Sequence, residues 1–582
     1  MPHLRNRVRL VLPVLLLFAF YWPGLTTWFY QDDFGWLNLR HDVQSAGDLA
    51  TALFAPKAHG NMRPLGENAY WLGLSSIFGV EPLPFHLWTF ATQSASLLLL
   101  GAIVSQLTAW EWGGLSAQLL WLVNIGLAPA MAWSSIYNQV LSALFFLLAF
   151  YLLLRAIESG RRAFEIAHWA AFVLGLGALE INVVYPALAV IYAWFWARAW
   201  VTRILPMFAI SAATVAVHFF FAPVSQSGVY APRLDGEVAA TLFTYWRWVV
   251  GPMPLAAAVI LLVCATALIG WGARHGDCVP LLGAAWFLLP LLPYLPLPDH
   301  KMDYYLAVPA LGIAILGTSA LATARSFAAP LRAGVYLAIA LYAARSAQAS
   351  WATVIWQHAR AEKVEDLVLG VEEVRRVAPG KIILLEGVDT DLFWSGVADL
   401  PFRAKGLASV YLAPGSEQKI QASPELLSKY ILPAAIALRA GGRAAVYRFD
   451  GHALHEAPGR SAQWKDDEAR FVNLGDPVFA DYTGEGWDAA SNASRRMQSR
   501  ATLRIGGPRT ASERLYLGVF ETRDVRPVVR VNGVECAPVV VHGDNDLTEF
   551  RVTLPSQAAG VKLLDVTIES PRPLLFGYAE VR

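Results

Sequence analysis

Two adjacent carboxylates, Asp32 and Asp33, follow the first long apolar run of the sequence, residues 8–30. A charged group at the edge of hydrocarbon is costly unless it faces protein or water. A carboxylate beside an apolar surface also has a raised proton affinity, which suits a general base. The pair therefore has three interpretations: a catalytic base, a ligand of a metal ion, or the ordinary N-cap of a helix beginning at Phe34.

Further polar residues lie near the predicted ends of other apolar runs. The guanidinium of Arg63 can bind a phosphate or a carboxylate with two hydrogen bonds. Glu180 falls inside an apolar segment, which suggests a site, although simple hydration at the end of a span is the alternative. His300 and Lys301 could bind an anion, although a single lysine beside a headgroup also serves as an anchor. Tyr304 either belongs to the aromatic belt or lines the same site.

Composition divides the chain into an apolar and a polar part. It has 582 residues, of which 56% are hydrophobic and only 16% charged, so more than one domain is expected. The apolar runs end near residue 350, which predicts a polytopic α-helical membrane domain at 1–350. A net charge of +1 gives no basic surface for nucleic acid. The three cysteines have no metal-ligand spacing.

Eleven membrane spans are predicted, the first as an uncleaved helix rather than a signal peptide. Arginines concentrate in the short loops if the N-terminus is cytoplasmic, which places the long loop 31–83 and the C-terminal part outside. Within that loop, Ser45–Phe54 predicts a short amphipathic helix, and Pro64 predicts the start of another. The spans are 8–30, 84–108, 115–132, 137–156, 165–181, 183–199, 204–222, 254–272, 279–297, 304–323 and 332–350.

The remaining sequence predicts two extracytoplasmic domains. Residues 351–465 read as a charged helix at 351–378 followed by a small α/β unit, with a helix expected at 424–440. Residues 466–582 show short alternating strands typical of a β-sandwich. With Gly486-Trp487 followed by Arg495-Arg496 near its start, this region resembles the jelly-roll domains appended to some bacterial membrane glycosyltransferases. Val531-Asn532-Gly533-Val534 predicts a tight hairpin, because Asn-Gly favours two positive φ angles.

The ordered motifs of residues 10–325 resemble the GT-C class of membrane glycosyltransferases. They are similar above all to the tetratricopeptide-containing transmembrane O-mannosyltransferases and their bacterial relatives, although the repeats themselves are absent here. The motifs are Tyr30-x-Asp32-Asp33, Asn38, Asp42, Leu53-Phe54, Arg63-Pro64-Leu65, Phe85-His86-Leu87, Ala178-Leu179-Glu180 with Pro186, and His300-Lys301-Met302-Asp303-Tyr304-Tyr305-Leu306-Ala307-Val308-Pro309.

The resemblance implies transfer of a sugar from a polyprenyl-phosphate carrier to a lipid, glycan or protein acceptor at the outer face of a bacterial inner membrane. Asp33 or Asp32 would be the base, and cationic groups would stabilise the leaving phosphate. Adjacent residues of an extended segment point to opposite faces, so only one is expected to enter the site, and we favour Asp33. The other would bind a divalent metal ion or cap the next helix.

The resemblance also fixes which further residues are expected at the substrate. Arg63, Glu180, His300, Lys301 and Tyr304 would bind it. The family's lysine before Glu180 is a leucine in this chain, Leu179. That departure leaves open a catalytically inactive scaffold of the cell envelope. The other alternative is a transporter or flippase of lipid-linked saccharides, which should show internal repeats and polar groups in the middle of the membrane.

Overall fold

The computed structural model describes residues 2–56, 61–221, 224, 228–464, 467–490, 494–520, 526–542 and 547–582. Residues 57–60 of the predicted loop 31–83 therefore lie outside the described residues. The chain divides into two units, Met1–Glu362 and Lys363–Arg582. The predicted order of a helical part, an α/β part and an antiparallel β part is confirmed.

The first unit is helical, and its last helix continues past Glu362 into the second unit. Its helices are α1 (Pro2–Phe20), α2 (Trp22–Leu25), α3 (Asp33–Asn38), α4 (Ala46–Phe54), α5 (Tyr70–Phe78), α6 (Pro82–Thr108), α7 (Gly113–Leu122), α8 (Tyr137–Ser159), α9 (Arg162–Leu176), α10 (Tyr185–Trp196), α11 (Val201–Ile204), α12 (Met207–Phe221), α13 (Glu237–Val249), α14 (Leu255–His275), α15 (Val279–Leu291), α16 (Ala310–Ala324) and α17 (Ala329–Val377).

Several of these helices are apolar enough to cross a membrane. Within the described chain, four stretches of 21 to 27 residues qualify by length and composition, and they contain α6, α8, α12 and α14. Shorter apolar helices occur at Val11–Phe20, Glu180–Trp196, Val279–Leu291 and Ala310–Ala324. A helix of about 20 residues matches the hydrocarbon thickness of a bilayer. The chain is therefore an integral membrane protein, while the count of eleven spans and their orientation stay predictions.

Two helices of the first outer loop begin where the sequence predicts. The side chain of Ser45 accepts a hydrogen bond from the backbone N–H of Asp48 and so caps α4. Pro64 opens a π-helical turn, Pro64–Ala69, which continues directly into α5. Proline suits a first turn because it has no N–H group to leave unpaired there.

Two predicted helix boundaries are wrong, and two predicted elements are parts of one helix. Helix α1 ends at Phe20 rather than near residue 30, because Pro23 cannot continue the ladder of backbone hydrogen bonds. The helix expected at 424–440 is two short helices separated before Pro433. The span 332–350 and the charged helix 351–378 are one helix of 49 residues, α17, because no glycine or proline occurs between Gly334 and Gly370.

The second unit begins with the predicted α/β region. Strands β1 (Ile382–Glu386), β2 (Val410–Leu412), β3 (Ala444–Phe449) and β4 (Leu454–Glu456) form one sheet in the order β2-β1-β3-β4. The first three strands are parallel, and β4 is antiparallel to β3. Its short helices are α18 (Thr390–Gly396), α19 (Pro401–Ala404), α20 (Pro424–Leu427) and α21 (Ala434–Ala440).

Two antiparallel sheets complete the second unit. Their strands are β5 (Phe471–Asn473), β6 (Arg495–Met497), β7 (Arg500–Gly506), β8 (Arg514–Phe520), β9 (Val528–Val531), β10 (Val534–Cys536), β11 (Pro538–His542), β12 (Leu547–Thr553), β13 (Leu563–Glu569) and β14 (Leu574–Val581). The orders are β10-β9-β13-β7 and β11-β12-β8-β14-β5, with β6 beside β14. The predicted hairpin is confirmed, because Val531 pairs with Val534 and both turn residues have positive φ.

Candidate functional site

The acidic pair lies at a sharp turn before α3. Gln31 has a φ of 56°, the left-handed region that residues other than glycine rarely adopt. Asp32 then has helical φ and ψ angles of −51° and −21°, and its side chain makes no capping hydrogen bond. The expectation of an extended segment is therefore wrong, and the described contacts give no support to a simple N-cap. The two carboxylates nevertheless diverge, since Asp32 is exposed and Asp33 is buried.

Asp33 is enclosed by protein. Only 1% of it is exposed, and its oxygens accept hydrogen bonds from Oγ of Ser135, at 2.5 Å, and from the backbone N–H of Tyr30, at 3.2 Å. Burial disfavours the charged form and raises the pKa of Asp33 from 3.8 to about 8, although both hydrogen bonds act in the opposite direction. Asp33 is therefore mostly neutral near pH 7.

The raised pKa of Asp33 should make stability fall as pH rises. Between pH values of about 4 and about 8 the folded protein keeps a proton that the unfolded chain has lost, so the free energy of unfolding decreases with pH and levels off above about 8. The slope that Asp33 contributes to the free energy of unfolding is at most about 1.4 kcal/mol per pH unit. We expect Asp33→Asn to remove this slope. Thermal unfolding in detergent at several pH values measures it. Parallel curves for wild type and variant would contradict the prediction, and Asp235→Asn, at an exposed position, is the control.

Asp32 faces a cavity of about 700 Å³ in the helical unit. The surrounding protein raises the pKa of Asp32, because it removes water from the carboxylate. Asp303, on a neighbouring turn, lines the same cavity, and burial also raises its pKa. The lining residues are Tyr30, Gln31, Asp32, Pro129, Trp133, Tyr230, His300, Met302, Asp303, Tyr304, Ala352, Thr353, Trp356, Gln357 and Arg360.

Aromatic rings form much of the cavity wall. Tyr30 stacks on Trp133 with ring centroids 5.7 Å apart, and Tyr304 meets Trp133 edge-on at 5.9 Å. On another side, the rings of Tyr230 and His300 are 4.3 Å apart. Such offset and edge-on pairs hold aromatic side chains in fixed positions. The cavity thus combines flat apolar surfaces with two carboxylates and a few polar groups, which is typical of a small-molecule site.

Arg63 and Glu180 form an ion pair in the helical unit, and neither is among the residues that line the cavity. Nε of Arg63 donates to both carboxylate oxygens of Glu180, at 3.0 and 2.8 Å, although 117 positions separate the residues. Nη1 of Arg63 donates to Glu67, whose Oε1 also accepts a hydrogen bond from Asn138 at 2.6 Å. The two carboxylates raise the pKa of Arg63 although its burial acts in the opposite direction. Arg63 therefore stays charged while its guanidinium is held by two acids.

A close backbone contact brings this ion pair together. The N–H groups of Leu65 and Gly66 both donate to the carbonyl oxygen of Gly177, at 2.9 and 3.3 Å. A Cβ atom added to Gly66 would lie 2.2 Å from the backbone oxygen of Ala178, closer than atoms can approach. The sequence requires glycine at this position because two backbones touch there.

We expect Gly66→Ala to separate the two segments and break the Arg63–Glu180 ion pair. The clash is with backbone atoms, which cannot rotate away, so a loss of about 1–3 kcal/mol in the free energy of unfolding is expected. Gly73→Ala on α5 is the matched control, because no atom lies within 4 Å of its added Cβ. Chemical unfolding of both variants in detergent measures the difference. Equal stability of the two variants would contradict the close contact.

The sequence-predicted residues divide into four positions. Asp32, His300 and Tyr304 line the cavity, whereas Asp33 is buried behind its surface. Arg63 and Glu180 form the ion pair described above. Nζ of Lys301 donates to the backbone carbonyl of Pro298, and Lys301 is not among the lining residues.

Sequence reasoning missed several lining residues. Arg360 and Trp356 come from α17, in the segment that the sequence marks only as a charged helix. They are four positions apart and so share one face of that helix, a signal that could have been noticed. Trp133 and Gln31 carry no motif of their own. Asp303 belongs to the last motif, residues 300–309, but had no predicted role.

The described residues contain no group of three or more histidine, cysteine, aspartate or glutamate side chains close enough to hold a metal ion. Asp32, Asp303 and His300 share the cavity without forming such a group. A metal role for Asp32 or Asp33 therefore gains no geometric support from the described residues.

Comparison with known proteins gives structural matches alone. No protein-family model and no curated protein matches the sequence. The structure is similar to that of ArnT from Cupriavidus metallidurans bound to undecaprenyl phosphate, with 13% identity over 76% of this chain and 93% of that chain and a TM-score of 0.43. The match to ArnT in the apo state has 12% identity over 76% of this chain and 92% of that chain, with a TM-score of 0.39. The match to the arabinosyltransferase EmbB from Mycobacterium smegmatis has 13% identity over 98% of this chain and 64% of that chain, with a TM-score of 0.34. At this level of likeness nothing about the site follows from them.

Proposed function

We propose that this chain is a glycosyltransferase that moves a sugar from a polyprenyl-phosphate carrier to an acceptor at the outer face of the membrane. One observation carries the proposal. Asp32 from the first motif and His300 and Tyr304 from the last, more than 260 positions later in the sequence, line one cavity. Arg63 and Glu180, from two further motifs, form an ion pair with each other. Shared lining of one cavity by residues from the first and the last motif supports a common site.

The cavity suits the proposed substrates in size and lining. Its volume of about 700 Å³ lies in the range of cofactor and substrate pockets. The partly exposed rings of Trp133 and Tyr304 offer flat surfaces for the carbon face of a sugar. His300 and Arg360 are the basic side chains of the lining, which suits a phosphate.

The geometry favours Asp32 over Asp33 as the base. In the proposed step, the acceptor oxygen or nitrogen bonds to the anomeric carbon while the bond from that carbon to the phosphate oxygen breaks. The electron pair leaves with the phosphate, and the acceptor proton goes to the carboxylate of Asp32. Asp32 lines the cavity, and its raised pKa strengthens it as a proton acceptor. Asp33 would support it from behind as a neutral hydrogen-bonding group that adds no second negative charge.

The test is transfer by the full-length protein in lipid nanodiscs. Undecaprenyl-phosphate glucose, mannose and arabinose are supplied in turn with lipid, glycan and protein fractions of a bacterial envelope as acceptors. The expected result is release of undecaprenyl phosphate together with a labelled acceptor for at least one donor. Translocation of a donor across proteoliposomes without release would instead support a lipid-saccharide transporter. Binding of donors with neither release nor translocation would support an inactive scaffold.

A further inference from the structure

We propose that a cluster of arginine and tryptophan side chains at one end of α8, α9 and α10 binds the headgroup of an anionic phospholipid. The cluster is formed by residues 155–165, around the turn between α8 and α9, and residues 194–203, around the turn between α10 and α11. None of these residues lines the cavity, and the inference does not depend on the proposed glycosyltransferase function. The members are Arg155, Arg161, Arg162, Arg198, Arg203, Trp194, Trp196 and Trp200.

Contacts between the helices bring the two turns together. At the end of α8, the guanidinium carbon of Arg155 lies 5.8 Å from the ring centroid of Phe164, which belongs to the first turn of α9. The same turn of α9 carries Glu165, whose Oε2 is 3.3 Å from Nη1 of Arg203 on α11. This ion pair joins residues that are 38 positions apart in the sequence. The start of α9 and the turn after α10 therefore lie side by side.

The cluster carries an excess of positive charge. The acidic residues of its two segments are Glu158 and Glu165, and each is paired with one arginine, at N–O distances of 2.6 and 3.3 Å. The remaining arginines are exposed and bring three further positive charges. They are Arg161, Arg162 and Arg198. Such an excess attracts a headgroup with a net negative charge, whereas a zwitterionic headgroup has no net charge to offer.

Tryptophan rings orient two of the arginines. The guanidinium carbon of Arg198 lies 5.2 Å from the ring centroid of Trp194, and that of Arg203 lies 4.6 Å from the ring centroid of Trp200. A guanidinium held against a ring keeps its N–H edge available for a phosphate. Trp194 and Trp196 are exposed, and exposed tryptophans concentrate where the hydrocarbon of a bilayer meets its headgroups. The arginines are therefore expected at the depth of the lipid phosphates.

The surface beside the cluster suits acyl chains. Exposed apolar side chains continue from the arginines along the adjoining helices, and they include Ile166 on α9, Phe195 on α10 and Phe208 on α12. A soluble anion could use the guanidinium groups but not these side chains, because only a lipid brings apolar area to bury against them. The combination of excess charge, interfacial tryptophans and an apolar flank therefore favours an anionic phospholipid over a free anion.

Binding of two lipids that differ only in headgroup charge tests the inference. Phosphatidylglycerol and phosphatidylcholine with identical acyl chains are titrated into the delipidated full-length protein, and native mass spectrometry measures the first bound lipid. We expect Arg161→Gln combined with Arg162→Gln to weaken binding of phosphatidylglycerol by about 10- to 30-fold, the usual contribution of two arginines beside an anionic headgroup. Binding of phosphatidylcholine should stay unchanged. Arg161→Lys combined with Arg162→Lys should bind phosphatidylglycerol more tightly than the glutamine variant, because it keeps both charges.

A matched control removes the same charge from elsewhere on the same predicted side of the membrane. Arg274→Gln combined with Arg332→Gln changes two exposed arginines on α14 and α17, and it should bind phosphatidylglycerol like wild type. Added salt should weaken binding of phosphatidylglycerol more steeply in wild type than in the Arg161 and Arg162 glutamine variant. Equal weakening in the control and the glutamine variant would show a general effect of charge and overturn the inference. Equal weakening of both lipids, or of the lysine and glutamine variants, would overturn it as well.

Discussion

Asp32→Asn is expected to lower the rate of sugar transfer by about 10²- to 10⁴-fold, the usual contribution of a positioned general base. Asparagine has nearly the same shape as aspartate but cannot accept the acceptor's proton. The loss should appear in kcat, while binding of undecaprenyl phosphate stays or improves, because a negative charge has been removed from the cavity. Initial rates with the donor that wild type uses, at saturating acceptor, measure the effect.

Asp33→Asn is the matched variant at the adjacent position. Because the pKa of Asp33 is about 8, its side chain is mostly neutral near pH 7, so a neutral asparagine should cost much less activity there. Wild-type activity should also rise with pH through the pKa of Asp32, which lies above its ordinary value of 3.8. Loss of transfer in Asp33→Asn with retention in Asp32→Asn would assign the base to Asp33.

Arg63→Gln is expected to destabilise the protein by about 3–5 kcal/mol, the usual cost of leaving buried charges without their partner. The side chain of Glu67 is only 6% exposed, and that of Glu180 is 27% exposed. Removal of Arg63 leaves both carboxylates without the guanidinium that they share. The free energy of unfolding in detergent, from denaturant titration, measures the loss.

A double-mutant cycle separates this pair from general effects of substitution. Arg63→Gln with Glu180→Gln should recover part of the lost stability, because one of the uncompensated charges is gone. Arg203→Gln is the control, since Arg203 and Glu165 form a more exposed ion pair, with Arg203 54% exposed, and it should cost less than about 1 kcal/mol. An equal loss in the free energy of unfolding for Arg63→Gln and Arg203→Gln would show that Arg63 and its two carboxylate partners are not buried.

Structural features that depend only on residues adjacent in the sequence could be predicted. Proline at the first turn fixed the start of the helical segment at Pro64, and serine at the cap position fixed α4. The positive φ angles of Asn532 and Gly533 follow from the two residue types themselves. The continuity of α17 was not predicted, because the composition changes from apolar to charged within it while no glycine or proline interrupts the helix between Gly334 and Gly370.

The candidate site was predictable as a set of residues but not as an arrangement. Asp32, His300 and Tyr304 share the cavity, and Glu180 meets Arg63, as a common site requires. Lys301 could not be separated from His300 by sequence, because only the fold decides which of two neighbours faces inward. Arg360 could not be found from the motifs, since it reaches the cavity from a helix more than 320 positions after Asp32.

The sequence by itself determined that this chain has apolar helices long enough for a membrane, a polar C-terminal part with α/β and antiparallel strands, and an acidic pair between the first apolar run and the next. These follow from hydrophobic patterning and from the local preferences of proline, glycine and asparagine. Only the tertiary structure decided that Asp33 is buried while Asp32 faces the cavity. The hydroxyl group that Asp33 binds belongs to Ser135, and the groups around Asp32 come from segments far along the chain. Burial and charge pairing are set by such distant partners, which local sequence does not specify.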